Sequence, residues 1–368
     1  MIGTFPLDTP ELEGRISPAL EAVETRLLQV VNNADETINP PTSHLAEAGG
    51  KRLRPVLTLL TAQLGDPQTA TGEKVRDAGV AVELTHIATL YHDDVMDDAP
   101  LRRGAPSAQT VWGNSAAILT GDVLVARASQ LVAALGPEAV LAHAKTFERL
   151  CMGQLHETLP RPVGTDPVAH YIQVLADKTG SLIAVSARYG AMLTEAGEET
   201  ERIVEEFGEK IGVAFQLADD VIDLTSDSET TGKTPGTDLR EGGETMPVLL
   251  LRQALAAGEL DAAGQSILST LSSGDLQDDA VLGDVVARLR EHPVLARTRE
   301  MAMAWADQAV AVLGGLEETV VTGTRERLAA AGTQGAQAEA AVADARVRVG
   351  QVREAMEQFA RLLVDRAA

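Results

Sequence analysis

The sequence predicts an all-α fold, a single-domain bundle of long helices around a central cavity. Aromatic residues make up only 3% of the 368 residues, and alanine, leucine and valine dominate. Because strands are enriched in aromatic and β-branched residues, this composition favours packed helices over a β-sandwich or barrel. Apolar residues recur at helical spacing in successive segments, and no segment shows the alternation of a strand.

Helical spacing and breaker residues divide the first part of the chain. Pro-Pro, Gly-Gly and Gly-Asp-Pro sequences mark the ends of periodic segments. The predicted elements are a helix from about Pro10 to Val31 that Asn39-Pro40-Pro41 breaks, a short helix capped by Thr42 or Ser43 and ending at Gly49-Gly50, an apolar helix from Val56 to Leu64, a helix from about Gly72 to Asp97, a polar loop from Ala99 to Val111, a helix from about Ala116 to Leu135, and another from Pro137.

The second part of the chain is divided in the same way. A glycine inside a helix costs about 1 kcal/mol relative to alanine, so the helix that contains Lys178-Thr179-Gly180-Ser181 is predicted to kink there. The predicted elements are that helix, with apolar positions from Tyr171 to Val185, a helix from Glu201 to Leu224, a polar loop from Thr225 to Thr245, helices from Met246 onward, an exposed helical or partly flexible insertion at about 317–350, and a final amphipathic helix from Val352.

The composition also limits the partners of the protein. A formal net charge of −23 argues against nucleic acid and an anionic membrane surface, since both require a basic protein surface. The single cysteine, Cys151, excludes an intramolecular disulfide and a thiolate metal site. We find no signal peptide and no run that approaches the ~18 apolar residues of a membrane span. We therefore expect a cytoplasmic protein without a transmembrane segment.

Two acidic clusters of the same form lie in apolar helical segments. The first contains Asp93, Asp94 and Asp97, and the second contains Asp219, Asp220 and Asp223. On a helix each cluster occupies about one turn, where bare carboxylates repel one another. Carboxylate oxygens in this arrangement suit Mg²⁺, which commonly shares one or two carboxylates with substrate phosphates. We interpret the clusters as two walls of one metal–diphosphate site.

Cations lie close in sequence to the acidic clusters. Arginine forks and lysine point charges are the usual partners of phosphate oxygens. Metal-binding carboxylates together with separate cations suit two polyanionic substrates, one held through Mg²⁺ and one by bare arginine and lysine. The candidate cations are Lys51, Arg52, Arg54, Arg102, Arg103, Lys178 and Lys233.

Four motifs resemble those of the trans-polyprenyl diphosphate synthases, in order and between about Ala46 and Leu251. They are Gly49-Gly50-Lys51-Arg52-Leu53-Arg54-Pro55, His92-Asp93-Asp94-Val95-Met96-Asp97 with Arg102-Arg103-Gly104, Lys178-Thr179-Gly180-Ser181-Leu182, and Phe215-Gln216-Leu217-Ala218-Asp219-Asp220-Val221-Ile222-Asp223. The resemblance implies an isoprenoid synthase-like homodimer that condenses isopentenyl diphosphate with an allylic prenyl diphosphate, using two to three Mg²⁺ ions.

The resemblance also implies roles for individual residues. Ionisation at the allylic diphosphate needs no dedicated serine, cysteine or histidine nucleophile. Arg52 and Asp98 are expected to support neighbouring ligands or to lie in solvent. The implied metal ligands are Asp93, Asp94, Asp97, Asp219, Asp220 and Asp223; the implied contacts to the allylic substrate are Arg102, Lys178, Thr179, Gln216 and Lys233; and the implied contacts to isopentenyl diphosphate are Lys51, Arg54, His86 and Arg103.

Product length in this family depends on the residues before the first acidic cluster, where bulky aromatics stop chain growth. Here the positions four and five residues before Asp93 are Thr89 and Ala88, and Thr85 and Ala81 lie further back on the same helix. These small residues favour a long-chain product, roughly C30 to C50, although small residues also allow close helix packing.

Three alternatives remain open at this point. The first is a short-chain synthase with a C15 or C20 product, if other walls close the cavity. The second is a non-catalytic partner subunit, which would be expected to have lost metal or diphosphate ligands. The third is a class I terpene cyclase, which usually keeps one Asp-rich motif and lacks the Gly-Lys-Arg site for a second diphosphate.

Overall fold

The computed structural model describes residues 9–32, 34–225 and 235–365. Within these ranges the chain is almost entirely helical, and the one sheet is an antiparallel hairpin in which Leu101 pairs with Pro106 and Arg102 pairs with Ala105. The predicted all-α fold is confirmed.

Most predicted helices begin and end within a few residues of the observed ones. The elements of the first part are α1 (Pro10–Val31), α2 (Asn39–Glu47), α3 (Leu53–Thr61), a 3₁₀ turn (Ala62–Leu64), α4 (Glu73–Met96), β1 (Leu101–Arg102), β2 (Ala105–Pro106), α5 (Ala108–Trp112), α6 (Asn114–Leu135) and α7 (Pro137–Thr158). The elements that follow are α8 (Pro167–Leu175), a π-helical stretch (Ala176–Gly180), α9 (Ser181–Leu193), α10 (Glu198–Thr225), α11 (Thr237–Arg240), α12 (Met246–Ala257), α13 (Ala262–Ser273), α14 (Asp279–Glu291), α15 (Pro293–Val312), a 3₁₀ turn (Leu313–Gly315), α16 (Leu316–Ala330) and α17 (Ala336–Val364).

Two local predictions differ from the structure. Helix α2 begins at Asn39, so the two prolines lie in its first turn, where no backbone N–H is needed within the helix. Thr42 is therefore not a cap, and its hydroxyl donates to the Ile38 carbonyl at 3.1 Å. The segment from Ala99 to Val111, predicted as a loop, contains the β1–β2 hairpin and most of α5.

The segment 317–350 is helical, but the expectation that it is exposed is wrong for part of its length. It forms most of α16 and the first half of α17. Val320 and Val349 are buried, as is Arg348, whose guanidinium pairs with Asp344 and contacts the Gln63 carbonyl at 3.4 Å. The apolar positions are diluted by alanine, glycine and charged residues, which is why their periodicity is weak in the sequence.

The contacts along the chain divide it into two compact units. Unit 1 takes its described residues from Met1–Glu148, Ser181–Glu209 and Val310–Phe359. Unit 2 takes its described residues from Arg149–Gly180, Lys210–Ala309 and Ala360–Ala368.

The core of unit 1 is built around α4. This helix packs against α1, α3, α6 and α9, and its buried positions lie on nearly all sides, as expected for a helix surrounded by others. Tyr91 is fully buried near its C-terminal end and donates to the Pro41 carbonyl at 2.5 Å, which ties α4 to α2. The first acidic cluster is thus attached to the best-packed helix of the unit.

Unit 2 contains a series of shorter helices. Helix α8 packs against α12, α12 against α13, and α13 against α14. Aspartate side chains cap three of their N-termini: Asp166 accepts from the Ala169 amide at 2.8 Å, and Asp261 and Asp278 act in the same way at α13 and α14.

Helix α6 is long and apolar enough to cross a membrane by length and composition alone, so the expectation that no segment approaches a membrane span is wrong for this helix. In the structure it is the main packing partner of α4. Arg127 on α6 donates to the Val30 and Val31 carbonyls, both at 2.8 Å, at the end of α1. Along one face, α6 therefore packs on the core of unit 1.

Candidate active site

The first acidic turn, Asp93, Asp94 and Asp97, lies at the C-terminal end of α4. Asp97 is the C-cap, and Asp98 follows in the left-handed conformation with φ of 49°. The Ala99 amide donates to the Asp94 carbonyl at 3.0 Å, which ends the helix in a Schellman-type motif. Because a helix C-terminus carries partial negative charge and this turn contains no basic residue, three carboxylates are unfavourable here without bound cations.

Asp94 and Arg102 form an ion pair in unit 1. Asp94 is fully buried, and Arg102 Nε donates to its Oδ1 at 2.6 Å. The Asp94 Oδ2 atom is buried and has no hydrogen-bond partner among the described residues. Burial raises the pKa of the Asp94 carboxyl, and the charge of Arg102 opposes that shift. The pair therefore holds the β1–β2 hairpin against the acidic turn.

The remaining two carboxylates of this turn fit a magnesium ion. Asp93 is half-buried and Asp97 is exposed, and they lie one helical turn apart. Within the described ranges, no three His, Cys, Asp or Glu side chains converge closely enough to hold an ion by themselves. Mg²⁺ commonly completes its shell with waters and substrate phosphates. The donor set therefore suits an ion bound jointly with a diphosphate.

A cationic cluster, Lys51, Arg52, Arg54 and Arg103 with His86, also belongs to unit 1. A Cβ atom on Gly50 would lie 3.1 Å from Arg52 Nη1 and 3.2 Å from Arg103 Nη2, so the two guanidinium groups share the space beside this glycine. Both arginines have left-handed backbone, with φ of 51° and 54°. That conformation costs about 1–2 kcal/mol per non-glycine residue, and such strain is often stored at functional sites.

Arg52 is buried rather than solvated. Its guanidinium donates to both carboxylate oxygens of Glu24, at 2.7 and 2.8 Å, and to Glu83 Oε1 at 2.9 Å. It also donates to the Ala46 carbonyl at 2.9 Å. Of the two roles that the sequence left open for Arg52, the structure supports the one in which it holds neighbouring groups in place.

The electrostatics of the cluster favour an anion. Burial lowers the pKa of Arg54 to about 10, so this residue stays charged at neutral pH, and its buried Nε has no partner among the described residues. Burial and the neighbouring guanidinium groups, Arg54 foremost, hold the pKa of His86 well below its ordinary value. His86 is therefore a neutral hydrogen-bonding group among fixed positive charges. Lys51 is exposed.

The second acidic turn, Asp219, Asp220 and Asp223, lies near the C-terminal end of α10 in unit 2. Asp219 and Asp223 are half-buried. Asp220 is buried, and its carboxylate accepts from the Tyr171 hydroxyl at 3.0 and 3.1 Å and from the Met246 amide at 3.0 Å. Burial raises the pKa of Asp220, which these two donors oppose. The Asp220 carboxylate is thus hydrogen-bonded to other residues of the protein.

The predicted kink at Gly180 is a π-helical stretch in unit 2. Lys178 is half-buried and forms an ion pair with Glu157, and Thr179 is half-buried beside it. A Cβ atom on Gly153 would lie only 2.6 Å from the Lys178 amide nitrogen, so α7 approaches this backbone closely. π-Helical turns are frequent at functional sites. Gln216 on α10 is half-buried, and Lys233 lies outside the described residues.

The four candidate chain-length residues lie along α4. Ala81, Thr85 and Ala88 are buried, and Thr89 is half-buried. The Thr85 hydroxyl donates to the Ala81 carbonyl at 2.8 Å, and the Thr89 hydroxyl donates to the His86 carbonyl at 2.9 Å. Both hydroxyls are satisfied by their own helix, so this helix face is effectively apolar.

Several residues that contact site residues are not predicted from the sequence, and three of them matter most here. Glu83 contacts Arg52 and Arg103, Tyr171 holds Asp220, and Gly153 faces Lys178. Glu83 carried a usable signal, because it is a single acid among apolar residues in the α4 pattern. Tyr171 and Gly153 carried no such signal, because nothing in their local sequence indicates the partners that other segments bring to them.

Comparison with known proteins gives concordant matches. The family model for polyprenyl synthetase matches residues 35–275. A nonaprenyl diphosphate synthase of Mycobacterium tuberculosis is 45% identical over 287 residues, covering 78% of this chain and 83% of that protein. A dimethylallyltranstransferase of the same organism is 37% identical over 310 residues, covering 84% and 91%.

A solved structure agrees with these matches. Geranylgeranyl pyrophosphate synthase from Corynebacterium glutamicum, complexed with calcium and isoprenyl diphosphate, has a TM-score of 0.77 and 35% identity and covers 99% of both chains. The family match spans more than half of the chain. The four motifs, the helical fold and these comparisons agree, and the chain belongs to the polyprenyl synthetase family.

Proposed function

We propose that this protein is a chain-elongating, Mg²⁺-dependent prenyltransferase that condenses isopentenyl diphosphate with an allylic prenyl diphosphate. The observation that carries the proposal is the pairing of two chemically different anion sites in one chain. One is the cationic cluster, whose buried Arg54 Nε has no described partner. The other kind consists of carboxylates, one cluster at the C-terminal end of α4 and a separate cluster near that of α10, and each cluster requires cations before it can meet a diphosphate.

We assign the metal ligands as Asp93, Asp97, Asp219 and Asp223, which would hold two to three Mg²⁺ ions on the allylic diphosphate. Bound Mg²⁺ would neutralise charge that develops on the departing diphosphate. Asp94 and Asp220, predicted as ligands from the sequence, are better explained as positioning carboxylates. The reason is that Asp94 is engaged by Arg102, and Asp220 by Tyr171 and the Met246 amide.

The remaining residues bind and orient the two substrates. Lys51, Arg54, His86 and Arg103 would fix isopentenyl diphosphate, which places its double bond toward the allylic carbon. The allylic C–O bond breaks, the double bond attacks the resulting carbocation, and the released diphosphate takes the proton. An apolar, dry environment keeps water from quenching the cation. We assign the contacts to the departing diphosphate to Arg102, Lys178, Thr179, Gln216 and Lys233.

We further propose a long-chain product. The small residues Ala81, Thr85, Ala88 and Thr89 leave one face of α4 without an aromatic that would stop a growing prenyl chain. The similarity to a nonaprenyl diphosphate synthase supports this proposal. The similarity to a dimethylallyltranstransferase and to a geranylgeranyl pyrophosphate synthase supports the alternative, a shorter product.

The protein is proposed to act as a cytoplasmic homodimer whose chain forms one catalytic domain. Apolar side chains remain exposed on the face of α6 that α4 does not cover, among them Ile118, Leu119 and Val123. A second copy of the chain would remove this surface from water. With a net charge of −23, nucleic acid is not a proposed partner.

The test is incubation with farnesyl diphosphate, labelled isopentenyl diphosphate and Mg²⁺, followed by chromatography of the dephosphorylated products. We expect a ladder of products that extends beyond C25, and no incorporation of label in EDTA. A strong stop at C15 or C20 would support the short-chain alternative. A partner subunit would incorporate no label, and a terpene cyclase would release pyrophosphate from a single prenyl diphosphate without isopentenyl diphosphate.

A further inference from the structure

Glu83 is a carboxylate buried inside the core of unit 1. Only 2% of its side chain is exposed, and it lies on α4 among apolar neighbours. Burying a charged group is costly unless it is paired and hydrogen-bonded. Its partners are therefore the reason it can occupy this position.

Those partners are arginines of the cationic cluster. Glu83 Oε1 accepts from Arg52 Nη1 at 2.9 Å and lies 3.7 Å from Arg103 Nη2. Its charge also stabilises the charged form of Arg54, which opposes the effect of burial on the pKa of that residue. One carboxylate thus contacts two guanidinium groups that arrive from two different segments of the chain.

The arginines need a negative charge between them because their guanidinium groups otherwise repel one another. Arg52 and Arg103 meet beside Gly50, and both have strained left-handed backbone. Backbone carbonyls near the end of α2 accept hydrogen bonds from both side chains. Arg52 donates to the Ala46 carbonyl, and Arg103 donates to the Leu45 carbonyl at 2.7 Å. Carbonyls carry only partial charges. Glu24 supplies a full negative charge to Arg52, and Glu83 supplies one that contacts both guanidinium groups.

We propose that Glu83 is a positioning residue of the acceptor-substrate site: together with Arg52, it holds the Arg103 guanidinium in the position that binds the bare diphosphate of isopentenyl diphosphate. This inference rests on the proposed function. Glu83 itself does not touch the substrate, since its carboxylate is occupied by arginines and excluded from solvent. Its influence is confined to the cationic cluster, and so to one of the two substrates.

The main experiment compares the KM values of the two substrates in Glu83→Gln, which keeps the shape and removes the charge. We expect KM for isopentenyl diphosphate to rise about tenfold or more, and KM for the allylic substrate to change less than about twofold. Glu83→Asp keeps the charge and should show an intermediate KM for isopentenyl diphosphate. An equal rise in both KM values would overturn the proposal, because general loosening of the fold does not distinguish the substrates.

A double-mutant cycle tests whether Glu83 acts through Arg103. In an Arg103→Lys background, Glu83→Gln should raise KM for isopentenyl diphosphate by less than about threefold further. Fully independent effects would contradict the proposal. Glu201→Gln is the matched control, since Glu201 is a half-buried carboxylate of unit 1 that pairs with Arg188 at 3.4 Å. We expect it to change stability and neither KM.

Calorimetric titration with inorganic pyrophosphate in EDTA separates this proposal from the proposed function. Binding should be about tenfold weaker in Glu83→Gln than in the wild type and unchanged in Glu201→Gln. If the wild type consumes no isopentenyl diphosphate, the proposed function fails while this titration still decides the role of Glu83. Equal pyrophosphate affinity in the wild type and Glu83→Gln would overturn the role proposed for Glu83 and leave the proposed function standing. Should Glu83→Gln not fold, Glu83→Asp in the same titration is expected to bind more weakly than the wild type, and equal binding overturns the proposal.

Discussion

The Tyr171 hydroxyl lies 3.0 Å from one carboxylate oxygen of Asp220 and 3.1 Å from the other. The Met246 amide is a second donor to this carboxylate, at 3.0 Å. This arrangement joins α8, α10 and the start of α12 within unit 2. Asp220 is part of an acidic motif in the sequence, yet its side chain is used inside the protein. We therefore expect it to orient α10, and with it Asp219 and Asp223.

Tyr171→Phe tests this arrangement. The change removes one buried hydroxyl, so we expect a loss of about 1–2 kcal/mol of unfolding free energy and a clear decrease in kcat. Tyr189→Phe is the matched control, since its buried hydroxyl donates to the Ala139 carbonyl at 3.1 Å. The control should lose similar stability in urea denaturation with kcat unchanged. A Tyr171→Phe protein with wild-type kcat would show that Asp220 does not orient the acidic turn.

Gly153→Ala tests the close approach of α7 to the π-helical stretch. The added Cβ atom would lie 2.6 Å from the Lys178 amide and 3.0 Å from its Cα, and backbone atoms cannot rotate away. We expect Lys178 and Thr179 to be displaced, with kcat/KM for the allylic substrate falling about tenfold or more. Gly283→Ala in α14 is the control, because its Cβ atom would meet open space. Gly283→Ala should gain up to about 1 kcal/mol of stability. Unchanged kinetics in Gly153→Ala would contradict the prediction.

Product length should respond to bulk at Thr89 and Ala88. A phenylalanine at either position is expected to shorten the product ladder while the first condensation continues. Thr89 is half-buried and should accept the larger ring with little loss of stability, whereas Ala88 is fully buried and overpacking there costs about 1–3 kcal/mol. Chromatography of dephosphorylated products measures both. If neither variant shortens the ladder, these residues only pack the helix.

His86 should make the protein less stable on acidification. Its pKa in the folded protein is lowered by burial and by Arg54, Arg103, Arg102 and Arg52. The unfolded chain therefore binds a proton near the ordinary pKa of about 6.5 when the folded chain does not, so stability falls as pH decreases below that value. The contribution approaches about 1.4 kcal/mol per pH unit.

The measurement compares urea unfolding of the wild type and His86→Asn between pH 5 and 8. The variant should show a shallower decrease of unfolding free energy below pH 6.5. At pH 8 both proteins carry a neutral side chain, so their difference there gives the cost of lost packing. Parallel pH profiles would show that the pKa of His86 is the same in the folded and unfolded states, which contradicts the prediction.

Local patterns were sufficient for much of the fold. The first helix was predicted at Pro10 to Val31 and is observed there, since apolar spacing and the following break are both local features. The glycine at position 180 correctly indicated a distortion of the helix. The start of α2 was missed because two prolines can open a helix as well as end one.

The candidate site was predicted less completely. Spacing on one helix predicts Asp93 and Asp97 as candidate metal ligands, and the motifs predict the candidate arginines. The hydrogen bonds that Asp94, Asp220 and Arg52 make within the protein could not be predicted. Their partners are Arg102, Tyr171 and Glu24, which lie on other elements of the fold. Identical carboxylates in one motif thus differ in burial.

The sequence by itself determined the helical class, the family and the list of candidate charged residues, because periodicity and motif spacing are properties of neighbouring residues. Only the tertiary structure decided that Asp94, Asp220 and Arg52 are buried and hydrogen-bonded within the protein. The physical reason is that burial and ion pairing depend on distances between helices far apart in the chain. A carboxylate or guanidinium changes its role when a partner from another helix reaches it.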